Sequence, residues 1–128
     1  MSHRIAVVQS PPALLNKQET LDLAVSHVNE AASEGAELVV FPEAYVPGYP
    51  TWAWRLRPGG DMALSGELHA LLRNNAVDLD QGELKPVQDA AAENGVTVVI
   101  GVSELDGRFS GTTLFNTVVV IGPTGSIL

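Results

Sequence analysis

The 128-residue chain reads as an α/β fold built on a central sheet. Three observations predict this. Short runs rich in Val and Ile alternate with stretches whose apolar residues recur at helical spacing. The first two such runs flank a helix, the arrangement of a parallel βαβ unit. Proline and glycine mark most of the boundaries between elements.

The first strand is RIAVVQ, Arg4 to Gln9, a short β-branched run stopped by Pro11 and Pro12; its composition predicts a buried strand. Leu21, Ala24, Val25, Val28, Ala31 and Ala32 then share one face of an amphipathic helix. Gly35 is placed to end it, and His27 lies off the apolar face. ELVVF, Glu37 to Phe41, is the second strand. Pro42 ends it, because proline donates nothing to a ladder and keeps the preceding residue extended. Leu64, Leu68, Leu71 and Leu72 predict a helix over 62–75, followed by a loop, AVDLDQG. A third helix is expected over 84–94, with Pro86 in its first turn and Asn94-Gly95 as its stop. VTVVIGV, 96–102, is the third strand, and TLFNTVVVIG, near 113–122, the fourth. The order is β-α-β-α-α-β-β. After Gly122-Pro123-Thr124-Gly125, a tight-turn sequence, Ser126-Ile127-Leu128 reads as the start of a returning strand, so the hairpin looks unfinished.

Composition narrows the function classes. With 7 basic and 15 acidic residues the formal charge is −8, which argues against nucleic acid and anionic membrane surfaces as partners. There is no cysteine, so this chain has no disulfide, thiolate metal site or thiol nucleophile of its own. His3, His27 and His69 are far apart and no metal-ligand spacing is present, so neither metal nor cofactor is expected. The opening run is too short for a secretory leader and no segment approaches the ~20 apolar residues of a bilayer span. A cytoplasmic location is the expectation.

The candidate for chemistry is Glu43, one residue past the end of the second strand. Ligands of parallel sheets gather beyond the carboxyl ends of strands. Partial burial at such a point suits a carboxylate to general-base work. A solvated loop glutamate fits the same position, so both readings stand. Phe41, Tyr45, Tyr49, Trp52 and Trp54 are five of the seven aromatics and fall within fourteen residues around it. Tyr49, Trp52 and Trp54 are the candidate substrate wall; an oligomer interface has the same composition. Arg55 and Arg57 fit a pair with acidic neighbours or a subunit contact, with solvated arginines the default. Glu104, near the end of the third strand, offers a weak pairing with Glu43 at a Mg²⁺ site or as an acid–base pair. GVSEL around Ser103 lacks the last glycine of a nucleophile elbow, and no phosphate-binding glycine loop is present.

Taken together, RIAVVQ, EGAELVVFPEAYVPGYP, NGVTVVIGVSE and TLFNTVVVIGPTGSIL resemble the N-terminal part of the nitrilase, or carbon–nitrogen hydrolase, superfamily. PGYPTWAWRLRPG resembles its nitrilase branch, and the likeness runs from about Arg4 to Leu128. The resemblance implies a partial α-β-β-α sandwich, cut before the return strand of a hairpin, with residues 1–128 as the first part of a single hydrolase domain. It implies a catalytic Glu-Lys-Cys set whose glutamate, from the Phe-Pro-Glu motif, is Glu43. A small nitrile or amide would be the substrate, acid and ammonia the products, and a homo-oligomer the full-length form. Lys17 and Lys85 do not match the family lysine, so the chain alone is expected to be inactive. A non-catalytic interaction module is the alternative.

Overall fold

A computed structural model describes residues 2–128. The elements follow the expected order: β1 (Ile5–Val7), α1 (Lys17–Ser33), β2 (Leu38–Val40), a 3₁₀ turn (Thr51–Trp54), α2 (Met62–Asn74), α3 (Lys85–Asn94), β3 (Thr97–Leu105) and β4 (Leu114–Ile121). The sheet order is β1-β2-β3-β4. The first three strands are parallel, with Ile5 opposite Leu38 and Leu38 opposite Thr97, and β4 returns antiparallel beside β3.

Helix α1 begins where Asn16 accepts from the Glu19 amide at 3.1 Å and donates back to the Glu19 carboxylate at 3.0 Å. This reciprocal cap satisfies a donor that the first turn leaves orphaned. Helix α3 carries its proline at the start, where no amide is needed, and stops at Gly95. That residue sits at φ 64°, the left-handed conformation only glycine adopts without a Cβ clash.

Successive strand residues face opposite sides of a sheet, and here the two sides differ. Val39, Val98, Ile100, Val102, Val119 and Ile121 point to one side and are buried against Leu21, Ala24 and Val28 of α1 and Val87, Ala90 and Ala91 of α3. The other side carries Ile5, Val7, Leu38, Val40, Val99, Val118 and Val120. Here Ile5 is 57%, Val7 67% and Val118 63% exposed. The first strand is therefore not buried as its composition predicts. Its apolar residues cover both sides of the strand, but only one side of this sheet is covered.

A further difference concerns the end of β3. Strand β3 runs to Leu105, three residues past the expected 102, because new neighbours take over where β2 leaves. Val46 bridges Val102, Val77 bridges Glu104, and β4 pairs along the whole length. The hairpin after β4 has begun its return: Ile127 bridges Ile121, and the Leu128 amide donates to Val120 O at 2.9 Å. His27 is half-buried rather than on the open surface, its ring 6.4 Å from that of Phe41.

Candidate active site

The site is assembled where β2 gives up its place in the sheet. The Phe41 amide makes the last ladder bond, to Val99 O at 2.8 Å. Pro42 cannot continue the ladder. The chain instead climbs over β3 on the uncovered side and returns to the β3 edge at Val46, whose amide donates to Gly101 O at 3.2 Å. Gly101 makes this crossing possible. A Cβ there would lie 2.5 Å from Ala44 N, 2.5 Å from Pro42 O and 2.8 Å from Glu43 Cα. Ala44 completes the turn at φ 47°, a conformation uncommon for residues with a side chain and concentrated at functional sites. The Val46–Pro47 peptide that follows is cis.

Glu43 is thus held on the open face by backbone packing beneath it. It is exposed, not partly buried. As with Ile5, Val7 and Val118, this side of the sheet is largely open among the described residues. Its Oε1 accepts a hydrogen bond from Nδ2 of Asn116 on β4, at 2.5 Å. Asn116 pairs in register with Ser103 on the same face. Beside them lies a cleft of about 200 Å³, lined by Ala44, Tyr49, Pro50, Leu72, Ser103, Leu114, Phe115 and Asn116.

The aromatics do not act as one wall. Tyr49 lines the cleft beside Glu43. Trp54 is 76% exposed, and its indole N–H donates to the Tyr49 hydroxyl at 3.4 Å. Trp52 faces a larger cleft, about 600 Å³, between the 3₁₀ turn and α2, with Leu56, Met62, His69 and Leu72. Phe41 and Tyr45 turn into the core, their rings 5.0 Å apart. The Tyr45 hydroxyl is buried with no partner among the described residues, and burial pushes its pKa up. Arg57 is not a lone solvated arginine. It pairs with Asp61 at 3.1 Å, which holds the Asp61 carboxyl below the usual range.

Glu104 and Glu43 sit toward the same end of the sheet but on opposite sides. Glu104 shares its side with Val102 and Thr117, and accepts from Thr117 Oγ1 at 2.6 Å. The two carboxylates therefore do not converge as the weak pairing would require. Among the described residues no group of three or more His, Asp or Glu side chains is arranged to hold a metal ion. Lys17 donates to Glu83 at 2.7 Å and to Ala76 O at 3.0 Å, and Lys85 pairs with Asp89. Neither lysine is hydrogen-bonded to Glu43. No helix among the described residues is long and apolar enough to cross a membrane.

Two residues of the site, Asn116 and Gly101, escape a reading of local pattern. The available signal for Asn116 was an amide in the middle of the apolar strand LFNTVVVI, where a polar residue with no structural duty is out of place.

Comparison with known proteins places this geometry. Residues 4–128 match the family model described as carbon-nitrogen hydrolase. Over 125 residues the chain is 39% identical to an arylacetonitrilase of Aspergillus oryzae, covering 98% of this chain and 34% of that protein. It is 33% identical over 126 residues to a cyanide hydratase of Botryotinia fuckeliana, covering 98% and 32%. The chain thus spans about a third of the length of these curated relatives. In fold it matches an amidase of the nitrilase superfamily from Nesterenkonia AN1, with a TM-score of 0.68 at 20% identity, over 98% of this chain and 41% of the amidase. Other structures of that amidase hold acrylamide or butyramide, and one carries acrylamide added at its active-site cysteine. The α/β architecture, the sequence likeness and the family match agree: the chain belongs to the carbon–nitrogen hydrolase family.

Proposed function

We propose that this chain is the N-terminal part of a hydrolase of non-peptide carbon–nitrogen bonds, and that Glu43 is its general base. The observation that carries the reading is the position of Glu43. The Phe-Pro-Glu carboxylate is fixed at the end of β2, on a seat made by Gly101, and faces the open side of the sheet beside a cleft.

In this mechanism the thiol comes from the part of the relatives' length that the chain does not match. Glu43 takes the thiol proton, and the thiolate attacks the carbon of a nitrile or amide. A lysine from that same part stabilises the charged tetrahedral species. From an amide the nitrogen leaves as ammonia after accepting a proton, giving the thioester; from a nitrile the first adduct is a thioimidate, which adds one water to reach the tetrahedral species before ammonia leaves. Water, deprotonated by Glu43, then releases the acid and restores the thiol. The butyramide and acrylamide held by the Nesterenkonia amidase, and the modified cysteine in one of its structures, support this chemistry. The uncovered side of the sheet, with Ile5, Val7 and Val118, supports a second layer in the complete sandwich.

Activity should appear only when the missing groups are supplied. The 128-residue chain alone is expected to release no ammonia from nitriles or amides. Mixed with a separately made C-terminal portion of the domain carrying the lysine and cysteine, it is expected to do so, and Glu43→Gln should remove that activity by a factor of about 10²–10⁴. Undiminished ammonia release by the Glu43→Gln mixture would sink the assignment of the base.

A further inference from the structure

We infer that Asn116 is a positioning residue for the base: by holding Oε1 of Glu43, it leaves Oε2 as the oxygen that takes the proton. The inference rests on reading Glu43 as the base.

Three observations carry it. Glu43 is exposed, and among the described residues its side chain has one hydrogen-bond partner, Asn116. A free glutamate side chain populates several rotamers, and ordering it costs conformational entropy. A base that wanders spends little time aimed at its proton. Next, Asn116 Nδ2 lies 2.5 Å from Oε1, and Oε2 has no partner among the described residues. The amide orientation follows from chemistry, because an ionised carboxylate only accepts and Asn must therefore present its N–H. Last, the holder is rigid. Asn116 is in the middle of β4, with Thr117 paired to Val102 and Phe115 paired to Glu104 on either side. The Glu43 backbone rests on Gly101, and Gly101 pairs with Val118, two residues along from Asn116. Both ends of the glutamate are therefore referred to the same β3–β4 hairpin. The backbone is seated on one strand and the carboxylate is tethered to the other.

The tether also asks for a donor that stays neutral. A lysine in this place would pair with the carboxylate and make it a weaker base; an asparagine orients it without adding charge.

The first test needs no activity. In ¹⁵N–¹H spectra of the 128-residue chain, the Asn116 side-chain amide should carry one downfield proton, and that signal should move in Glu43→Gln. The second test uses the mixture with the C-terminal portion. Asn116→Ala should lower kcat on the order of 10- to 100-fold, the worth of a hydrogen bond to a charged group, while KM stays within about twofold. Asn116→Val should behave the same. It places a β-branched residue, favoured in strands, on an exposed strand position, so the fold should be preserved.

An Asn116 amide signal that ignores Glu43→Gln overturns the inference. So does a kcat within twofold of wild type for Asn116→Val in a mixture where Glu43→Gln is inactive; in that case the base assignment stands and only the positioning role falls. If instead the Glu43→Gln mixture stays active, the base assignment itself is wrong and the inference goes with it.

Discussion

Replacing Gly101 by alanine tests the seat beneath the base. The new Cβ would stand 2.5 Å from two backbone atoms and 2.8 Å from a third, all in the segment Pro42–Ala44. Carbon contacts are relaxed near ~3.5 Å, so the segment must rise by about 1 Å. No rotamer change relieves this, because the clashing atoms are main chain. The segment is also pinned on both sides, by Phe41 N to Val99 O at 2.8 Å and Val46 N to Gly101 O at 3.2 Å. Lifting it stretches both bonds, each worth about 1 kcal/mol net, and adds overpacking strain of about 1–3 kcal/mol. We expect Gly101→Ala to destabilise the chain by about 3 kcal/mol, a fall of roughly 1.5 M in the urea midpoint at an m-value of about 2 kcal/mol/M. In the mixture with the C-terminal portion, the same ~1 Å displacement of Glu43 should lower kcat about 10²-fold. Gly66→Ala is the control. Gly66 is an exposed residue inside α2 with nothing within 4 Å of its missing Cβ, so alanine there should stabilise by roughly 0.5–1 kcal/mol. A Gly101→Ala chain whose urea midpoint matches the parent would refute the reasoning, since no rearrangement within the segment could then be demanded.

Three further expectations concern the core and the open face. Tyr45→Phe removes a buried hydroxyl that has no partner, and should leave stability unchanged or raise it by about 1 kcal/mol; a loss larger than that in urea denaturation would reveal a partner for the hydroxyl. Because burial raises the Tyr45 pKa, the folded chain holds this proton more tightly than the unfolded chain does. Stability from this source is therefore complete below the ordinary value of 10.0 and is lost as pH rises above it, and Tyr45→Phe should remove that alkaline loss from the pH dependence of the melting temperature. On the open face, Val7→Thr with Val118→Thr should leave the chain's own urea midpoint nearly unmoved, because both residues are already exposed. The same pair should weaken association with the C-terminal portion by about 1–3 kcal/mol in calorimetry; an unchanged affinity would mean that some other surface receives it.

Much of the fold was legible because its signals are local. The α1 face, the Pro42 stop, the proline start and glycine stop of α3, and the βαβ order each depend on residues within a few positions of one another. The place of Glu43 just past the end of β2 was legible for the same reason, since Pro42 marks where that strand stops. What failed depended on distance or on absence. Glu43 and Asn116 are 73 residues apart and meet only through sheet pairing. Gly101 read as one more residue of an apolar strand, and its need for a missing Cβ arises from a segment almost 60 residues earlier. The run RIAVVQ carries apolar residues on both sides of the strand, which says that both were meant to be covered but not by what. The aromatic cluster is dispersed: neighbours in sequence are separated by the 3₁₀ turn and α2 into core, cleft and open surface. Strand β3 ran longer than its own pattern because Val46 and Val77, from two separate loops, came to pair with it.

The crossing over Gly101 bears on motion as well as geometry. The amides of Phe41 and Val46 bond to β3 carbonyls, and the Ser103 amide bonds back to Val46 O at 2.8 Å. Proteins open in cooperative units, and a segment laced into a central strand opens with that strand. The amides of Phe41 and Val46 are therefore expected to exchange slowly with the sheet, although by appearance the segment is a loop. The backbone that carries the Glu43 side chain is therefore expected to open only when β3 does, which amide exchange at Phe41 and Val46 would check.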